Sequence, residues 1–451
     1  MKNLLKLLTL SLVLMFSINC SYAISTSKID KLIHSSNLNE TATVAVSIRN
    51  VETGNVVYEK NEKKLLHPAS TLKIFTTYES LNVLGNDYFF KTQFYKDNNN
   101  NLYIKLGADP TLTRGQLKVA FDKLKETGNT KFNNIYFDDS IIDKKEFAPG
   151  WMWDDDTREE TPKVSSYNLD GNVLKISVKE GNSSAEIKPA YKTAVVSNIK
   201  KGTKENRIFV DRYNWNNPEL IEIYGEQVST SPIIVPVSSM RRYYIENVER
   251  ILNDSRFSVT NTKYASKLVP DNAKLLTEIV NPITPVIPKI LQNSNNLMAE
   301  TIFKIAGGKK YSSTGSNDLA IYAFYDFCKE NNIKTDEIIL QDGSGVSRNN
   351  LLSANWMSYA LAKLYKQEDF NSFKDYMAQP GDGTLTERLF ELRGSAWLKT
   401  GSLAHISSIA GYISSNDGNT YAVSILIQNY NDKKSNVKDF EDKIINLIYT
   451  K

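Results

Sequence analysis

An α+β fold is what this sequence predicts: a mixed helix-and-sheet body interrupted by a long β-rich insertion. Three observations lead there. After residue 42 a β-hairpin pattern is followed by a strongly periodic helix. The texture then changes to short alternating runs punctuated by Gly, Asp and Pro. Helical periodicity returns at Met240, and the chain ends on strand-like runs and a last helix. At 451 residues, two or more domains are expected.

The elements follow in order. Lys2 and Lys6 precede an apolar stretch from Leu7 to Ile18, and Ser21-Tyr22-Ala23 supplies small residues where a signal peptidase reads. The stretch is too short for a comfortable membrane span, so a leader cleaved after Ala23 is expected. Thr43 to Ile48 and Val56 to Tyr58 alternate around a Glu52-Thr53-Gly54-Asn55 turn, a hairpin pattern. Beyond Pro68, Leu72, Ile74, Phe75, Tyr78, Leu81 and Leu84 recur at mostly three- and four-residue spacing until Gly85, which predicts a helix. Asp97 to Asn101 reads as a hairpin loop between Phe94-Tyr95 and Leu102 to Ile104. Strand signals continue at Val173 to Val178, Arg207 to Val210 and Leu220 to Tyr224. Helical spacing is read at Met240 to Leu252, Lys274 to Leu291, Asn296 to Ile305 and Leu319 to Cys328. Trp397 to Lys399, Ser408 to Ile413 and Tyr421 to Ile427 are strand-like, and Asn436 to Tyr449 is the closing helix. The insertion is roughly 180 residues long.

Composition excludes several functions. Lys and Arg number 55 against 51 Asp and Glu, a balance that argues against nucleic acid as a partner. Two cysteines and three histidines exclude a zinc-finger array, a disulfide scaffold and a His-rich metal centre, and no metal or organic cofactor is implied. Cleavage after Ala23 would leave Cys328 as the one cysteine, so the exported protein would fold without an internal disulfide.

Three short motifs carry chemistry. Ser70-Thr71-Leu72-Lys73 places a hydroxyl and an amine one helical turn apart, at a helix start. A desolvated lysine can take the serine proton, and free N–H groups at the helix end favour developing negative charge. Ser25 to Lys28 and Ser197 to Lys200 fit the same spacing but open no clear periodic helix, and Ser435 to Lys438 opens one among Lys433, Lys434 and Asp439, a solvated surface. Lys399-Thr400-Gly401 ends a strand-like run with a cation, a hydroxyl and a glycine that admits close approach. Ser294-Asn295-Asn296 lies between helical segments, where a plain helix cap is the competing reading.

In that chain order the three form the signature of penicillin-interacting serine transferases. The sequence resembles the low-molecular-mass class C penicillin-binding proteins, D-alanyl-D-alanine carboxypeptidases of the serine peptidase S13 type. Further landmarks are Gly107 to Leu112, Asp139-Ser140, Pro149-Gly150-Trp151, Asn296 to Glu300, Asp342 to Arg348 and Gly381 to Leu385, in order over almost the whole chain. Ser70 and Ser294 are 224 residues apart, and Ser294 and Lys399 are 105 apart, spacings unlike a class A β-lactamase.

The resemblance implies a β-lactamase-like transpeptidase domain, an antiparallel sheet flanked by helices, with two nested β-rich inserted domains. Residues 24–88 and 268–451 would form the catalytic domain, 89–167 and 237–267 the outer insertion, and 168–236 the inner one. It implies Ser70 as nucleophile, Lys73 as proton acceptor and Ser294 as relay. Asn296 would bind the substrate amide, and Lys399 and Thr400 its terminal carboxylate. Lys399 is also expected to lower the Lys73 pKa. The N–H groups of Ser70 and of Ser402, just after Gly401, would make the oxyanion hole. Asp155 and Arg348 would hold the polar end of a diaminopimelate side chain. Peptidoglycan peptides and β-lactams are the implied partners, a periplasmic or other extracytoplasmic site the implied location. Membrane association and a homodimer stay open, as does the division between carboxypeptidase and endopeptidase activity. A Ser-His-Asp hydrolase is disfavoured, since His34, His67 and His405 accompany no Gly-x-Ser-x-Gly. A penicillin-sensing or wall-binding protein without turnover is the remaining alternative.

Overall fold

The structure is a computed structural model that describes residues 26–178, 185–203, 206–212, 219–228, 231–261 and 264–450. The expected leader, with Cys20, lies outside the described residues.

Both ends of the chain build one sheet. Strand Thr43–Asn50 pairs antiparallel with Val56–Lys60 on one side and Thr420–Gln428 on the other. The sheet continues through Ile406–Ser414 to Ala396–Leu403, its edge. Side chains alternate across it, as a pleated strand requires. Ala45, Ala410, Tyr412, Ala422 and Leu426 face a core with Phe75, Ile302, Phe303 and Trp356. Val44, Val46, Ile48, Ile409, Ile425 and Ile427 face helices Thr26–His34 and Lys434–Tyr449. Helix Lys73–Leu84 runs through the first core and is buried from Lys73 to Leu81 on every side. Its apolar residues pack on this core, where Tyr78 meets Phe327 and Phe370 edge-on, while Lys73, Thr76, Thr77, Glu79 and Ser80 are buried with them.

The insertion carries its own mixed sheet, in the order Ala265–Ser266, Ile135–Asp138, Leu102–Lys105, Phe89–Lys96 and Lys274–Pro282. The Asp97 to Asn101 loop joins two antiparallel strands, its Asp97 carboxylate accepting the Asn99 and Asn101 N–H groups. Among the described residues between Val173 and Pro236, the strands form two three-stranded sheets. Leu174, Ile176, Ile221, Ile223 and Val235 share a core with Phe94, Phe121 and Tyr243 of the outer insertion.

Two expectations are corrected here. Lys274 to Leu291 is not one helix: Lys274–Pro282 is a strand paired along Phe89–Lys96, and only Val286–Leu291 is helical. The spacing of Leu275, Leu276, Ile279 and Val280 suits either period over so short a run, and pairing with an available partner strand decided it. The same pairing moves the return to the catalytic body from residue 268 to beyond Pro282.

Candidate active site

Ser70 sits in a short 3-10 turn, Ala69–Leu72, that feeds directly into helix Lys73–Leu84. Ala69 is in the left-handed region (φ 48°), a strained setting for a residue with a Cβ. The surroundings enforce it. The Ala69 N–H donates to His67 Nδ1 (3.0 Å), which leaves the proton on Nε2 to bond the Ser347 carbonyl (2.5 Å). Ser408 Oγ donates to the Pro68 carbonyl (2.6 Å). Gly345 passes so close that a Cβ there would lie 2.0 Å from the Ala69 carbonyl oxygen. His67 is therefore a buried brace for the turn, its pKa pushed down by burial. His405 occupies the bend between strands Ala396–Leu403 and Ile406–Ser414 (φ 58°) and bonds the Tyr430 carbonyl.

Lys73 is wholly buried. Its Nζ donates to Ser70 Oγ (2.9 Å), Asn296 Oδ1 (2.6 Å) and the Ser344 carbonyl (2.5 Å). Burial withdraws the ammonium from water and brings its pKa down to about 7, against the opposing pull of Asp342 and Glu300. Lys399 is equally buried and its Nζ donates to the Thr400 carbonyl (2.8 Å). Burial and then the charge of Lys73 push the Lys399 pKa well down. The expected influence of Lys399 on Lys73 is thus replaced by desolvation as the leading cause.

These groups back onto a cleft of about 490 Å³. Ser70, Ser294, Asn296, Thr400, Gly401, Ser402, Asp155 and Arg348 all line it, so the cleft gathers eight of the ten expected residues, with Lys73 and Lys399 just beneath. Ser294 takes a left-handed conformation (φ 61°), while the helix cap is Asn295, whose Oδ1 accepts the Met298 N–H (2.9 Å). Asn296 spans two partners: Oδ1 accepts from Lys73, and Nδ2 donates to the Glu160 carbonyl (2.6 Å). Thr400 Oγ1 donates to Thr384 Oγ1 (2.7 Å). Strand Ala396–Leu403 is the edge of its sheet; on its outward side the Leu398 N–H donates to the Ala378 carbonyl (2.9 Å), and Thr400 to Leu403 line the cleft. At Gly401 it abuts the nucleophile, where a Cβ would meet Ser408 Oγ at 2.3 Å and the Ser70 nitrogen at 2.8 Å.

Sequence reasoning missed the groups beneath Lys73. Glu300, fully buried, accepts the Ser344 N–H (2.7 Å), and burial with the charge of Asp342 raises its pKa to about 7. Asp342 accepts the Gly345 N–H (2.7 Å), the Ser347 N–H (2.6 Å), Asn350 Nδ2 (2.7 Å) and Trp151 Nε1 (2.8 Å). Together they hold the loop whose Ser344 carbonyl receives Lys73. Both carboxylates stood in the landmark segments but without roles. Arg388, paired with Glu441 and Asp442, lines another part of the cleft and had no sequence signal.

The family model for the D-Ala-D-Ala carboxypeptidase 3 (S13) family matches residues 25–449. The chain belongs to that family. As a family member it is 24% identical over 442 residues to the D-alanyl-D-alanine carboxypeptidase DacB of Haemophilus influenzae, covering 91% of this chain and 92% of the relative. The D-alanyl-D-alanine carboxypeptidase of an Actinomadura strain is 23% identical over 421 residues, covering 84% and 76%. The crystal structure of penicillin binding protein 4 from Haemophilus influenzae superposes with a TM-score of 0.81 at 23% identity, over 94% of this chain and 99% of that one. The same protein complexed with a β-lactam gives 0.77 at 23% identity, over 95% and 100%. The family member therefore has the penicillin-binding protein 4 fold, transpeptidase-like body and insertions together.

Proposed function

We propose that the cleft is the active site of a serine-type D-Ala-D-Ala carboxypeptidase that acts on peptidoglycan stem peptides through an acyl-enzyme at Ser70. One observation carries the reading: a serine hydroxyl 2.9 Å from a buried lysine whose pKa is brought to about 7. At neutral pH a large fraction of that lysine is the free amine, able to accept the proton as Ser70 Oγ attacks the carbonyl of the penultimate D-Ala.

The other groups take the roles that the family resemblance implies. The Ser70 and Ser402 N–H groups receive the developing oxyanion, a contribution typically worth on the order of 100- to 1,000-fold in rate. Lys73 returns its proton towards the leaving amine by way of Ser294. Asn296 orients Lys73 and the substrate amide, and Lys399 and Thr400 take the terminal carboxylate. Asp155 and Arg348 sit where the amine and carboxylate of a diaminopimelate side chain would find opposite charges. Free D-Ala leaves as the acyl-enzyme forms, or a cross-link opens if the leaving amine belongs to a second stem, and water then releases the acyl group from Ser70. A β-lactam would acylate Ser70 in the substrate's place.

Such a substrate lies outside the cytoplasm, in keeping with the expected leader. Among the described residues no helix is long and apolar enough to cross a membrane. Mass spectrometry of purified muropeptides incubated with the protein tests the reading. Free D-Ala supports carboxypeptidation and dimers resolved to monomers support endopeptidation. Penicillin labelling without either product would favour a sensor.

A further inference from the structure

Nothing in that mechanism draws on residues 173–236, yet one side chain from them reaches towards the cleft. The segment between Gly150 and Thr161 supplies Asp155 to the cleft and, through its Glu160 carbonyl, the partner of Asn296 Nδ2. Its apolar anchor is at its start, where Trp151 packs with Phe147, Ala148 and Val346, so the turn that follows is held mainly by polar contacts. On the catalytic side it is tied by Trp151 Nε1 to Asp342 and by the Gly150 carbonyl to the Arg348 N–H (3.2 Å). On the other side Arg212, at the end of strand Arg207–Asp211, grips its middle. Arg212 Nη1 donates both to the Asp156 carbonyl (3.0 Å) and to Asp156 Oδ2 (3.2 Å), while Nη2 donates to the Pro236 carbonyl. The Arg212 side chain is only 4% exposed. Lys163 adds a second cation to Asp156 (3.2 Å).

We propose that Arg212 is a positioning residue for the reaction: it locks the Trp153–Thr157 turn against Pro236, so that Asp155 and the Glu160 carbonyl keep their places over the cleft. The inference rests on the acyl-enzyme reading above. A planar guanidinium that holds the carbonyl and the carboxylate of one residue fixes both backbone and side chain, which a flexible ammonium does not. If the segment drifts, Asn296 loses its Nδ2 acceptor. Its amide can then rotate, turning N–H groups instead of Oδ1 towards Lys73. A displacement near 1 Å remote from the chemistry can cost on the order of 100-fold in rate. Since Lys163 and Trp151 still hold the segment, a smaller loss follows for Arg212 alone.

The test uses the whole protein and two readouts: amide hydrogen exchange over residues 150–161, and the second-order rate of acylation by a fluorescent penicillin. Arg212→Ala should speed exchange in that segment and slow acylation about 10-fold, on the scale of such misplacements, and Arg212→Lys should recover part of each. Asp156→Ala takes its carboxylate from both Arg212 and Lys163 but leaves its carbonyl with Arg212, so it too should slow acylation, and the double variant should lose less than the product of the two single losses, because the guanidinium–carboxylate pair is common to both. Arg242→Ala serves as control. It removes the ion pairs with Glu219 and Glu246 in the insertion and should leave acylation unchanged. Unchanged exchange or unchanged acylation in Arg212→Ala, losses that multiply in the double variant, or an equal loss in Arg242→Ala would each overturn the proposal. A wild type that penicillin does not acylate would instead remove the catalytic reading, and the exchange data would still decide whether Arg212 holds the segment.

Discussion

At the residue scale, the behaviour of the site turns on how Lys73 is desolvated. A lysine in water stays charged and cannot take a proton from Ser70. With its pKa at about 7, the neutral form grows as pH rises through that value. Acylation by penicillin should therefore climb with pH through about 7 and level off above it, and a rate independent of pH between 5.5 and 8.5 would contradict this. Lys73→Arg keeps the charge at every such pH and should lose at least ~100-fold. Gly401 makes a second residue-level point. Alanine there would press on the Ser70 nitrogen and Ser408 Oγ, so Gly401→Ala should slow acylation on the order of 100-fold and lower the thermal unfolding midpoint as well, since the packed turn must shift. Ser70, Lys73, Lys399 and Gly401 were legible because their chemistry is written in side-chain type and spacing. The Ser344 and Glu160 carbonyls were not. Any residue supplies a carbonyl, and only the folded loops determine which one meets Lys73 or Asn296.

Among the elements, the helix from Lys73 and the edge strand from Ala396 set the two walls of the site, and both were readable from periodicity. Lys274 to Pro282 was misread because its apolar residues suit two periods and its partner strand lies some 180 residues earlier, information that a local window does not hold. Loop 342–348 illustrates a third case. Its shape comes from a buried carboxylate, Asp342, satisfied by several donors, one of them from the inserted segment. Trp151→Phe keeps the ring and removes only the Nε1 donor. The loss of one bond to a buried charged group should lower stability by ~1.5–3 kcal/mol, measured by urea unfolding. Acylation should slow as well, since the same loop carries the Ser344 carbonyl. A variant as stable and as fast as wild type would show that the Trp151 bond is dispensable.

Across the whole molecule, the catalytic sheet is closed by segments from both ends of the chain, with the insertions fed out between Leu84 and Val286. That split was legible as a change of texture, whereas the shared core of the two insertions was not, because it joins strands and helices far apart in sequence. Among the described residues Cys328 is buried and unpaired. Protein recovered from the extracytoplasmic fraction should begin at Ile24, as intact-mass analysis would read, and a chain that keeps Lys2 and Lys6 would contradict a cleaved leader. The central claim is that groups from residues 70, 73, 294 and 399 serve one reaction. Its most direct measurement is peptide mapping by mass spectrometry after brief exposure to benzylpenicillin. The account predicts a single penicilloyl adduct on the peptide bearing Ser70, absent from Ser70→Ala. An adduct on a different residue, or equal labelling of Ser70→Ala, would contradict it.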